Sequence, residues 1–234
     1  VLAGLLAVVV VLVLAPAAHA RDPIHVTPSG SDSADGSDWT TNAASLQHAL
    51  SIAQSGDEIW VAGGVYTPGP TAGASFTVTT GIQLYGGFAA TETVRTQRDW
   101  VANPTVLSGD IGGDDIKNDT GIVTTTTSIV GTNAYHVLWL DGVTGDPITG
   151  TTRIDGFTIT AGKASGSSPH NDGGGLYCAG NGSGHTCIPT VANAAFSGNS
   201  ASDEGGAMYD NGSTSGVSSP SLVNVSFSGN SATN

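Results

Sequence analysis

Pro189–Ala201 reads PTVANAAFSGNSA, and Pro220–Ala232, 31 residues further on, reads PSLVNVSFSGNSA, with eight of 13 positions identical. Between the copies stands Gly205-Gly206-Ala207-Met208-Tyr209, which echoes Gly173-Gly174-Gly175-Leu176-Tyr177 one unit earlier. Self-similarity at a fixed period of this length marks a stacked repeat architecture. Inside the unit, Val223, Val225 and Phe227 alternate with Asn224 and Ser226, so one side meets a core and the other meets water. Gly and Asn close each short run, because they tolerate the left-handed backbone of a sharp corner. No room is left for a helix of ordinary length. Short strand, corner, short strand, corner predicts one turn of an all-β solenoid, a parallel β-helix.

Turns of such a stack lie ~4.8 Å apart, so equivalent side chains form ladders. Neighbouring turns bury one another's apolar residues, which no single turn can do alone. Phe196 and Phe227 are therefore expected on one inward ladder, and Leu176 and Met208 on another. Asn199 and Asn230 are expected to hydrogen-bond along the stack at successive FSGN corners, with Gly205 and Gly206 at the step between them. The competing reading is a disordered Gly/Ser/Asn-rich linker. Alternating Val, Ile, Leu and Phe in most of the strands argue against it.

The pairing of Phe196–Asn199 and Phe227–Asn230 with Gly205–Met208, and with Gly173–Leu176 as a looser copy, resembles known repeats. They are the Phe-x-x-Asn and Gly-Gly-Ala-aliphatic motifs of the polymorphic membrane protein family of bacterial autotransporters. The pattern is also similar to the wider set of secreted right-handed β-helix proteins with the pectate-lyase fold. The matching motifs occupy the last third of the chain. This resemblance implies a right-handed, pectin-lyase-like solenoid exported to a bacterial-type cell surface or beyond. It implies structural display or adhesion without catalysis, with surface glycans or proteins of host or neighbouring cells as partners. The alternative on the same fold is a polysaccharide lyase, a glycoside hydrolase or a carbohydrate-binding module.

Composition narrows the choice. The 234 residues include 34 Gly and are only 11% charged, and six Lys and Arg face 19 Asp and Glu for a net charge of −13. That balance repels nucleic acid, anionic lipid and acidic polysaccharide alike. Residues 1–20 form an unbroken apolar run ending Ala18-His19-Ala20. This reads as a signal peptide cleaved before Arg21, with an uncleaved membrane anchor as the competing reading. Residues 21–234 are then one β-helix domain without a transmembrane segment: a cap over about 21–66 and turns over about 67–234, expected to continue beyond Asn234.

Along the chain, Ile24–Val26 predicts a short strand and 29–38 a loop. A capping helix follows, with Asn42 as N-cap, Leu46, Ala49, Leu50 and Ala53 on one face, and Gly56 as the stop. Strands are expected at Glu58–Val61, Phe76–Val78, Ile82–Tyr85, Thr105–Leu107, Ile122–Val130, Tyr135–Leu140 and Arg153–Thr160. Thr91–Pro104 is a long excursion carrying Arg95 and Arg98. Loops of varied length on a fixed scaffold are where binding would reside.

Cys178 and Cys187 bracket a Gly-rich loop, and in an exported chain a lone pair favours a disulfide. Metal binding together with His185 is the sharper alternative. For lyase chemistry the only cations are Arg21, Arg95, Arg98, Lys117, Arg153 and Lys163. For hydrolase chemistry Asp110, Asp114, Asp115 and Asp119 are dense but share one loop, Gly109–Gly121. The same loop reads either as a Ca²⁺ site or as a solvated turn. Trp39, Trp60, Trp100 and Trp139 suit either sugar stacking or packing. No catalytic, cofactor or metal residue is assigned from the sequence.

Overall fold

The computed structural model describes residues 21–234. The expected signal peptide, residues 1–20, lies outside the described residues. The chain is almost entirely β, and its strand pairings are parallel. One ladder runs through β1 (Ile24–Ser31), β2 (Glu58–Ala62), β5 (Gln83–Phe88), β8 (Arg153–Asp155), β13 (Thr190–Ser197) and β17 (Ser221–Ser228). A second joins β3 (Gly64–Tyr66), β6 (Thr105–Ser108) and β9 (Thr158–Thr160) to the far half of β13. Because β13 belongs to both, they merge into one sheet of nine strands that curls almost closed.

A third ladder pairs β4 (Phe76–Val78), β7 (Leu138–Asp141), β11 (Leu176–Ala179) and β15 (Met208–Asn211). Short strands complete the corners: β10 (Lys163–Ala164), β14 (Ser200–Ala201) and β18 (Ser231–Ala232) form one set, β12 (Thr186–Cys187) and β16 (Val217–Ser218) another.

Each ladder sends apolar residues inward in columns. Ile24, Ile59, Leu84, Ile154 and Val191 form the first column, and Tyr66, Leu107, Ile159, Phe196 and Phe227 the second. Phe76, Leu138, Leu176 and Met208 form the third. Most of these side chains belong to one buried cluster. The rings of Phe196 and Phe227 stack 5.2 Å apart at 13°, close to the spacing of hydrogen-bonded strands. Phe227 lies on the edge strand β17 and remains half exposed.

The corners follow from two Asn columns. At the FSGN corner, fully buried Asn199 donates from Nδ2 to Ile159 O at 3.0 Å and to Asn230 Oδ1 at 2.9 Å, while its Oδ1 accepts Gly162 N–H at 2.9 Å. Gly198 adopts φ +61, and a Cβ there would sit 2.4 Å from Val123 O, so only glycine fits. The second column is Asn193 and Asn224, with φ of 47 and 53, a left-handed backbone that Asn accepts better than most residues. Asn224 Nδ2 donates to Asn193 Oδ1 at 2.9 Å, and Asn193 Nδ2 to Asp155 Oδ1 at 2.9 Å. Asn224 is exposed, as strict alternation places it, but its left-handed backbone is also the bend at which β17 turns, so that Leu222 rather than Val223 continues the column of Val191.

Three local expectations need correction. The helix α1 spans Leu46–Ile52 with Ser45, not Asn42, as N-cap, accepting His48 N–H. Asn42 is already engaged: its Nδ2 donates to Asp38 Oδ2 at 2.7 Å inside a tight Asp38 turn. Leu46, Ala49 and Leu50 are buried, and Ala53 is already the C-cap. Ser29–Ser31 continues β1 rather than opening a loop, since Ser31 N–H reaches Ala43 O. Ile122–Val130 is not a strand and contains a 3-10 turn at Thr126–Ser128. This segment lies against the corners, where Val123 O accepts Thr160 Oγ1–H at 3.0 Å and Ser197 Oγ–H at 2.9 Å.

Asn199→Ala leaves Gly162 N–H, Ile159 O and Asn230 unmatched in a dry corner, and should cost about 2–4 kcal/mol in urea unfolding. Asn230→Ala, one turn nearer the sheet edge, should cost less than half as much.

Candidate functional site

Residues pointing outward from the first ladder form their own columns, and two matter. Glu58, Gln83 and Arg153 are successive rungs of one, and Trp60, Tyr85 and Asp155 of its neighbour. Strand periodicity dictates this, since residues two apart share a face. The 91–104 excursion between β5 and β6 folds back over that face and delivers Arg95 and Arg98. Gln83, Tyr85, Arg95, Arg98, Arg153 and Asp155 line a cleft of about 520 Å³, with Gly150 and Thr151 on its rim.

Asp155 is the electrostatic centre. Its Oδ1 accepts Arg98 Nη2 at 2.6 Å, and its Oδ2 accepts Arg153 Nε at 2.9 Å and Nη2 at 2.6 Å. Burial works against the charge, but hydrogen bonds from Asn193, Arg98 and Arg153 outweigh it and hold the carboxyl below its ordinary pKa. Arg98 is almost buried and also donates to Gly86 O at 2.9 Å and Asp155 O at 3.1 Å. Its guanidinium lies 5.1 Å from the Tyr85 ring and 4.9 Å from Trp100. Arg98 thus fastens the excursion to the sheet.

Arg95 is more open; it pairs with Glu58 and donates to Tyr85 Oη at 3.2 Å. Burial raises the Tyr85 phenol above its ordinary value, which the charge on Arg95 partly offsets. Three of the six Lys and Arg of this acidic chain therefore meet in one cleft. Sequence order hid the meeting, because Arg153 lies more than fifty residues from Arg98; the one local signal was the RxxR spacing of the excursion.

Other groups singled out in the sequence fall elsewhere. Cys178 and Cys187 form a disulfide, both fully buried, that ties β11 to β12 across a corner. His185 turns away, its Nδ1 2.6 Å from Asn181 O. Phe196, Phe227, Asn199, Asn230, Gly205 and Gly206 lie in the stack and its corners, apart from the cleft.

Asp110, Asp114 and Asp115 bring one oxygen each within 4.8 Å of one another, whereas Asp119 is exposed outside the group. Asp110 Oδ1 accepts Gly113 N–H at 2.8 Å and Asp114 N–H at 3.1 Å, and Lys117 Nζ closes on its Oδ2. Asp115 accepts Val130 N–H and, at 2.7 Å, Asn133 Nδ2–H. Burial raises Asp115 above the usual carboxylate pKa, and the charges of Asp110 and Asp114 add to the rise. Ca²⁺ takes six to eight oxygens. Here two of the three carboxylates are already engaged by the chain and by a lysine, a donor set that fits a lysine-closed turn better than that ion.

The tryptophans pack on neighbours. Trp60 stacks on Phe88 at 4.8 Å and 10°, and Trp139 on Tyr177 at 4.5 Å and 4°. Trp39 tilts against Phe88 at 5.5 Å, and Trp100 lies beneath Arg98.

A histidine pair not anticipated from the sequence sits beside the third ladder. His136 is fully buried, with Nδ1 3.0 Å from Gly173 O and Nε2 2.9 Å from His170 Nδ1. The carbonyl requires a proton on His136 Nδ1, so Nε2 accepts from His170. Burial first, and His170 second, push His136 down to about 4, against the opposing bond to Gly173 O.

No protein-family model, curated protein or solved structure matches this chain. Among the described residues, no helix is long and apolar enough to cross a membrane.

Two measurements probe these groups. Asp155→Ala leaves buried Arg98 without its carboxylate and should destabilise the protein by about 3–5 kcal/mol. Protease cleavage within residues 91–104 should then appear before global unfolding. For His136 the folded pKa lies below the unfolded one, so the unfolded chain takes up the proton first. Its contribution is complete above about pH 6.5 and declines as pH falls towards 4, by up to about 3 kcal/mol. In pH-dependent urea unfolding, His136→Gln should flatten that segment of the curve.

Proposed function

We propose that the chain is a right-handed parallel β-helix, exported to or beyond the surface of a bacterial-type cell, that displays a binding face and does not transform its ligand. The observation that carries this reading is the state of the cleft's charged groups. Asp155 is shared between Arg98 and Arg153, and Glu58 is paired with Arg95. A general acid or base must be free to exchange a proton with substrate. Carboxylates fixed in ion pairs and guanidiniums that hold their charge serve instead as a rigid recognition surface.

The in-register stack supports the scaffold part of the reading. Turns locked by side-chain ladders give a stiff rod from which excursions such as 91–104 project. The FSGN and Gly-Gly-Ala motifs carry the likeness to autotransporter passengers, and the apolar run at 1–20 supports export.

Mass spectrometry of secreted material should find a mature N-terminus at Arg21 and a Cys178–Cys187 bridge. Pectate, alginate and neutral glycans incubated with the protein, with and without Ca²⁺, should remain uncut. Cleavage abolished by Asp114→Asn/Asp115→Asn or by Asp155→Asn would overturn the non-catalytic reading and establish the enzyme alternative.

A further inference from the structure

The cleft holds hydrogen-bond donors that the protein itself does not use. Arg153 commits Nε and Nη2 to Asp155 Oδ2, and Nη1 donates to nothing among the described residues. Arg95 commits Nη1 to Glu58 and Tyr85, which leaves Nη2 and Nε free among the described residues. Gln83 accepts the Tyr85 hydroxyl on Oε1 at 3.0 Å. With Oε1 so placed, its NH₂ group is left as a donor.

Each free donor is thus held by a second group. Asp155 fixes Arg153, Arg98 fixes Asp155, and Tyr85 orients both Gln83 and Arg95. Three guanidinium charges face two carboxylates, so the cleft is locally positive on a chain of net charge −13. A polar site with surplus, preorganised donors and a positive balance is complementary to an oxyanion. A volume of about 520 Å³ exceeds what one small ion fills, and Gly150 and Thr151 line it as well.

We propose that this cleft binds an oxyanion, a carboxylate or a sulfate ester, between the guanidiniums of Arg95 and Arg153 with Gln83 donating a third bond. The proposal rests on the scaffold reading only for the source of the ligand. It reverses, at one place, the expectation from net charge that acidic polysaccharide is repelled: long-range repulsion is largely screened beyond ~10 Å in salt, whereas direct guanidinium contacts are weakened much less.

The test is calorimetric titration of the protein with trigalacturonate, its methyl ester and a sulfated trisaccharide, at low and high salt. At least one anionic ligand should bind, more weakly as salt rises, and the ester should bind at least about tenfold more weakly than a bound uronate. Binding of one anionic probe or of both supports the site and identifies its oxyanion. Arg95→Gln, at a partly exposed position, should weaken binding about tenfold. Gln83→Glu, which brings a negative charge into the cleft, should weaken it in the same direction. Lys163→Gln removes an equal charge on another strand and should change nothing.

Failure of both anionic probes to bind, equal affinity for acid and ester, or equal losses in Lys163→Gln and Arg95→Gln would each refute the site. Mass spectrometry of the titrated saccharides separates this result from the scaffold reading, because binding with cleavage overturns only the latter.

Discussion

Stacking in register is the constraint on which the rest of this molecule depends. A turn of the chain is too thin to bury anything by itself, so every apolar residue relies on its equivalent in the turns beside it. The column Tyr66, Leu107, Ile159, Phe196 and Phe227 is continuous because each member occupies the same inward position. A slip of one residue would exchange the inward and outward columns and expose the core. The same register decides what lies outside, and so it assembles the cleft as a by-product of burying Leu84 and Ile154.

The corners keep that register. Hydrophobic burial is non-directional and tolerates some sliding along a strand, whereas an amide ladder does not. Asn199 and Asn230 at one corner, and Asn193 and Asn224 at another, bond to their equivalents one turn away. A shift of the stack would leave the buried Asn199 amide unmatched, at a cost of about 1–3 kcal/mol. The 122–125 segment adds a seal, since its carbonyl at Val123 takes hydroxyls from Thr160 and Ser197 of adjacent turns.

The excursion illustrates how an acidic scaffold can hold a positive site. Arg98 is nearly buried, which requires a partner that is equally fixed. Asp155 provides it from the sheet, and Asn193, a corner residue, orients Asp155 in turn. The central carboxylate of the cleft is therefore held by a residue of the corner ladder. Cleft geometry is coupled to the stack rather than left to a loose loop.

The repeat at 189–201 and 220–232 determined by itself that the chain is built of short stacked strands with Gly and Asn corners, and the FSGN copies together with the Gly-Gly echo named members of two inward columns. Those features are local: a period, an alternation and a corner residue are legible wherever they occur in the chain. Tertiary structure decided the rest. Only the fold shows that Asn224 is a left-handed bend within its strand, that Ser45 caps the helix because Asp38 already holds Asn42, and that Ile122–Val130 seals a corner. The cleft is the clearest case. Arg95, Arg98, Arg153, Tyr85 and Asp155 come from separate stretches whose spacing is irregular, and their meeting depends on how an excursion of 14 residues, Thr91–Pro104, folds back over the sheet. No periodicity encodes that path; it is held by the Arg98–Asp155 and Arg95–Glu58 pairs and by bonds such as Asp99 N–H to Gly87 O.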